Sequence, residues 1–138
     1  MSAMTRIPHW EEHLAAAIAD ARARPFAWGR HDCATWAFDL RRDLTQGPDH
    51  AAAWRGRYRT GPGAQRVMRR LGWGALEEGA RALLGAPLEA VLLAQRGDLV
   101  LGGAPEAFGV CIGARVAFVA PEGLVVLPLG RCRLAWRT

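Results

Sequence analysis

The chain reads as an α+β protein, on three observations. Apolar residues recur at helical spacing through the first half. From Arg96 onward the pattern changes to short β-branched or aromatic-rich runs bounded by Gly or Pro. The links between those runs are of hairpin length. Helices in one block and strands in another, without alternation, predict N-terminal helices packed on a C-terminal antiparallel β-meander. A length of 138 residues predicts one domain over 1–138.

Trp10, Leu14, Ala17, Ile18 and Ala21 form one stripe, with Pro8 near the first turn and Glu11 and Glu12 at the dipole-favoured end. This first helix should stop before Pro25. A second is expected from Asp32, as N-cap, to about Leu44, with Cys33, Trp36, Ala37 and Leu40 on one face and Gln46-Gly47-Pro48 ending it. Residues 58–63 read as a turn-rich link, and short helices follow at 64–71 and 75–84. Strands are predicted at 98–101, 108–112, 115–120, 124–129 and 133–137, with turns at Gly113-Ala114 and Pro121-Glu122-Gly123.

Composition excludes several classes. Half of the residues are hydrophobic, too many for a disordered chain. No apolar run approaches the roughly 20 residues that cross a bilayer, so no membrane insertion is expected. The opening stretch lacks the apolar core of a secretory signal. Cys33, Cys111 and Cys132 are odd in number and widely spaced, which argues against a disulfide framework or a zinc site; no metal and no cofactor are expected. All 18 basic residues are Arg, and there is neither Lys nor Asn. The net charge of +5 sits in the first half, densest at Arg55, Arg57, Arg59, Arg66, Arg69 and Arg70, a stretch without acids. Such a run is most often a solvated face; it can also dock an acidic partner or an anionic polymer, and without an accompanying motif nucleic acid is an unlikely partner.

The stretch from Pro25 to Trp36, Pro-Phe-Ala-Trp-Gly-Arg-His-Asp-Cys-Ala-Thr-Trp, delivers Cys33 into the first turn of a helix. Unpaired N–H groups and the positive dipole end there favour a thiolate, the form a nucleophile needs. The plainer reading of Cys33 is a core thiol, that of Asp32 an N-cap, and that of His31 a loop imidazole bound to local backbone.

Trp28-Gly29 followed by Asp32-Cys33 at a helix head resembles the NlpC-type, papain-like cysteine peptidases, which cleave peptide stems of bacterial cell walls. Arg96-Gly97-Asp98-Leu99-Val100-Leu101 is similar to that family's Gly-Asp strand opening, and the run from Ala107 to Gly113 to its next strand. The ordered set covers roughly residues 25–120. With the segment from Phe118 to Leu124 and the Cys132…Trp136 ending, the chain is most similar to small NlpC-like proteins encoded among the tail-tip genes of tailed phages and gene transfer agents.

The resemblance implies a papain-like fold, Cys33 as the nucleophile with His31 and Asp32 beside it, and Phe26, Trp28 and Gly29 against the substrate. It implies a virion tail-tip location after synthesis in the host cytoplasm. The implied partners are other tail-tip or hub proteins and peptidoglycan or envelope polymers. The family's catalytic His falls at Ala107 here, and its third polar residue falls in a strand whose only polar residue is Arg115. Phe26 replaces the family's Tyr. All four His (His9, His13, His31 and His50) lie in the first half. Three readings follow: a structural tail-tip subunit without the catalytic base, an active peptidoglycan endopeptidase that recruits His31 or His50, or a basic binding module using Trp28 and Trp54.

Overall fold

A computed structural model describes residues 5–138; residues 1–4, where the stretch read for a signal begins, lie outside the described residues. Helix α1 spans Trp10–Ala23 and ends ahead of Pro25. Helix α2 spans Cys33–Thr45. Asp32 caps it by accepting the Thr35 N–H at 2.8 Å, and left-handed Gln46 closes it, donating its N–H to the Arg42 carbonyl. The predicted single face understates α2. Thr35, Trp36, Ala37, Phe38, Leu40 and Leu44 are all buried, because the helix is enclosed by α1 on one side and the sheet on another.

A 3₁₀ turn at His50–Ala53 follows. Helix α3 spans Gly61–Arg70, three residues earlier than its predicted start. The supposed link supplies its cap: Thr60 Oγ1 accepts the Gly63 N–H at 3.0 Å, and Pro62 suits the first turn, where no backbone donor is needed. Helix α4 is Leu76–Leu84, and a 3₁₀ turn at Val91–Leu93, absent from the sequence reading, leads into the sheet.

Five strands, β1 (Leu99–Gly102), β2 (Ala107–Cys111), β3 (Arg115–Ala120), β4 (Gly123–Pro128) and β5 (Cys132–Trp136), form one antiparallel sheet in the order β4-β3-β2-β1-β5. The meander holds from β1 to β4. The fifth strand departs from it: after a 3₁₀ turn at Leu129–Arg131 the chain returns to pair with β1 (Leu99 opposite Trp136, Val100 opposite Ala135), covering an edge that would otherwise expose unpaired backbone groups. The architecture is therefore α+β, four helices and a five-stranded antiparallel sheet.

Each sheet face buries its own apolar set, as period-two alternation requires. Leu99, Leu101, Phe108, Val110, Ala117 and Trp136 pack with Leu14, Trp36, Phe38 and Trp54 from the helical half. Val100, Cys111, Val116, Phe118, Cys132 and Ala135 form the core of the opposite face, under Leu88, Val91 and Ala94. Phe38 lies edge-on to Trp54 at 5.3 Å and to Phe108 at 5.2 Å, joining α2 to β2. This contact fixes the N-terminal end of α2 against the start of β2.

The Gly-Asp strand opening has a structural role. Asp98 has no exposure; its carboxylate accepts from Arg6 Nη2, Arg137 Nη1, and the backbone N–H groups of Gln95 and Thr138, each at 2.9 Å. The two ends of the described chain are thus tied to the start of β1, and four donors satisfy a charge that would otherwise be costly to bury. Among the described residues no helix is long and apolar enough to cross a membrane.

Candidate functional site

Cys33 occupies the first turn of α2, half-buried, at one wall of an open groove of about 870 Å³. Phe26 and Trp28 continue its wall. Opposite lie the loop 102–106, Ala107 at the start of β2, and Phe118, Val125 and Leu127 from β3 and β4. Trp28 is 38 % exposed, whereas Trp36 is buried.

The loop before α2 is held from inside. Asp32 is 2 % exposed, and its second carboxylate oxygen accepts the Gly29 N–H at 2.7 Å and the Tyr58 hydroxyl at 2.5 Å. All the donors it meets are neutral, so Asp32 is an N-cap and a loop clamp. Gly29 was expected to meet substrate. It is instead buried at φ +79°, and a Cβ there would sit 2.5 Å from the Tyr58 carbonyl oxygen; only glycine fits. Its side of the loop faces the interior, because residues 27 and 31 close a short bridge that turns Trp28 outward. Tyr58 went unremarked in the sequence beyond its place in a turn. Its signal is that it is the sole tyrosine, and its hydroxyl meets Asp32 beside Cys33. Burial, then the Asp32 charge, pushes its acidity far down. Trp28 rests edge-on against it at 6.4 Å.

Burial also pushes the Cys33 thiol up to about 11, which overrides the helix-end preference read from the sequence. The Phe108, Ala34 and Cys33 backbone N–H groups pull toward the thiolate, and the Asp32 charge opposes it. The cavity in which desolvation wins is built in part by β2, which begins 74 residues after Cys33.

None of the four imidazoles lines this groove. His31, two residues from Cys33, turns to the other side of the loop. It is 1 % exposed and lines a separate cleft between α1 and α2 with Asp20, Arg24 and Arg30. Its two ring nitrogens are buried without hydrogen-bond partners, so the local backbone bond expected of it is not made. Desolvation first, then the Arg24 charge, lowers its pKa. His50 lies edge-on to Phe38 at 6.0 Å, and burial, then the Arg41 charge, lowers its pKa as well. His9 and His13 lie on α1 or at its cap, outside the groove. Ala107, where the resemblance implies a base, lines the same groove as Cys33 and carries only a methyl group.

Trp54, expected as an exposed aromatic, is 4 % exposed and donates its indole N–H to Thr35 Oγ1 at 3.3 Å; it is part of the core. Among the described residues no three His, Cys, Asp or Glu side chains gather as a metal would require. The arrangement offers a neutral thiol in an apolar-walled groove with Glu106, Glu122 and Arg131 among its lining charges. It can hold an extended ligand, and no imidazole lines it.

A protein-family model, described as a domain of unknown function (DUF6950), matches residues 5–138. No curated protein matches the chain.

Proposed function

The chain belongs to the DUF6950 family, and we propose that it is a tail-tip component of a phage or gene transfer agent: an NlpC-like, papain-type fold that serves as a structural or envelope-contacting subunit without the catalytic His. The motif order from Trp28 to Gly113 supports the fold assignment, and the groove between the head of α2 and the start of β2 is where a papain-type enzyme would work. One observation carries the loss of catalysis: the groove that contains Cys33 is lined by no imidazole, and Ala107 stands at the expected place. A cysteine nucleophile needs a base within hydrogen-bond reach, directly or through one water, and a thiol with a pKa of about 11 has too little thiolate at neutral pH to act alone. Recruitment of His31 or His50 finds no support, because neither shares the groove. In this reading the partners are other tail-tip or hub proteins, the protein is made in the host cytoplasm, and it ends in the virion.

The experiment is a turnover assay with Cys33→Ala as its control. Purified wild-type protein incubated with muropeptides is expected to release no cleaved stems, and Cys33→Ala is expected to leave particle assembly and infectivity intact. Release of stems by the wild type, abolished by Cys33→Ala, would overturn the proposal.

A further inference from the structure

Among the described residues six of the 18 arginines are ion-paired, and the others include an exposed cluster at 57–70. Arg6, Arg42, Arg55, Arg81, Arg133 and Arg137 are ion-paired; Arg55, read from the sequence with the basic run, is held by Asp39 and Asp49. Arg57, Arg59, Arg66, Arg69 and Arg70 are exposed, and among the described residues none makes a salt bridge. Arg66, Arg69 and Arg70 share one face of α3 at i, i+3 and i+4, and the loop that carries Arg57 and Arg59 leads into that helix. No acid occurs between Asp49 and Glu77. The patch abuts the groove: Gly61, at the head of α3, packs against the Trp28 ring, which is the groove's exposed wall.

We infer that this surface docks a linear phosphate-bearing polymer of the cell envelope, laid along α3 with one end at the Trp28 rim of the groove. Five unpaired guanidinium groups present the fork geometry that suits phosphate oxygens; carboxylates fit the same fork, so a carboxylate polymer is the competing occupant that the test separates. The other outward residues among the arginines are small or polar, Gly56, Thr60, Pro62 and Gln65, and the large apolar side chain beside them, Leu71 at 37 % exposure, lies past the last arginine and not at the centre that a protein interface buries. Single-stranded nucleic acid is disfavoured because no exposed aromatic lies within the arginine row to stack bases, Trp28 standing only at its margin. The envelope as the polymer's source rests on the function proposed above; the phosphate chemistry does not.

The test uses the full-length protein and long-chain inorganic polyphosphate, with a single-stranded oligonucleotide and polyglutamate of matched charge as the other arms. Five phosphate contacts predict a log–log salt slope of about −3.5, or about a hundredfold loss of affinity between 50 and 200 mM salt. The triple variant R66A/R69A/R70A, with unchanged circular dichroism, is expected to bind with a slope of about −1.4 and to lose only about sevenfold over the same range. Cys33→Ala is expected to bind polyphosphate like wild type, so a failure of the tail-tip reading and a failure of this one are separable. No polyphosphate binding at 50 mM salt, a triple variant that binds like wild type, or tighter binding of the oligonucleotide or of polyglutamate would each overturn the proposal.

Discussion

Cys33 can be interrogated by alkylation rate against pH. At pH 7 a thiol at its ordinary value of 9.0 is about 1 % ionised, and one at about 11 is about a hundredfold less so. Each thiolate of higher pKa is intrinsically more nucleophilic, which recovers about tenfold. Cys33 should therefore react with iodoacetamide about tenfold more slowly than a free thiol at pH 7. Its rate should keep climbing above pH 9, where a free thiol levels off, toward about 11. The readout is mass spectrometry of the Cys33 peptide, with Cys33→Ala reporting the background from the buried Cys111 and Cys132. Because the folded thiol is the weaker acid, its contribution to stability is complete below pH 9 and is lost as the pH rises toward 11, so folding must be monitored along the alkaline limb. A plateau at or below pH 7 would mean an ion-paired thiolate, and the desolvation argument would be wrong. Ala107→His supplies the complementary perturbation. An imidazolium about 4 Å from the sulfur at an effective dielectric near 20 contributes about 4 kcal/mol, enough to lower the thiol by about three decades in acidity. The alkylation profile of that variant should move toward neutral pH; an unmoved profile would mean that position 107 does not face the sulfur.

Further predictions concern the frame around the groove. Asp98→Ala leaves Arg6, Arg137 and two backbone donors without their acceptor and should cost about 3–5 kcal/mol in a urea melt; a loss below 1 kcal/mol would show that the buried network contributes little. Gly29→Ala forces a side chain into a left-handed conformation against the Tyr58 carbonyl and should cost at least about 1–3 kcal/mol, with a wild-type melting curve refuting the close approach. Burial lowers the pKa of His31 and His50 in the fold, so the unfolded chain binds protons more readily. Stability should be complete above the ordinary histidine value of 6.5 and fall as pH drops below it, and His31→Gln should flatten that fall in melts taken from pH 7.5 to 5.

Much of the scaffold was legible because its signals are local. Asp32 before an apolar-periodic run announces α2, and its carboxylate does accept the Thr35 N–H. Gly and Pro punctuation located the strands within a residue or so, and β3 fell on 115–120 as read. Ala107 and Cys33, far apart in the chain, line one groove. The start of α3 was missed because a cap, Thr60, hid among turn-forming glycines and a proline that serve equally well in a first helical turn.

Composition and periodicity by themselves determined that helices precede strands, that Asp32 caps α2, and that no histidine falls in the strand half of the chain. Tertiary structure alone decided that β5 returns to β1, that Asp98 gathers donors 92 and 39 residues away, and that His31 turns from its near neighbour Cys33 into a different cleft. It also decided the acidity of the thiol. Hydrogen bonds within one turn are written in adjacent residues, whereas desolvation is imposed by whatever remote strand covers the group, and no spacing along the chain records which strand that is.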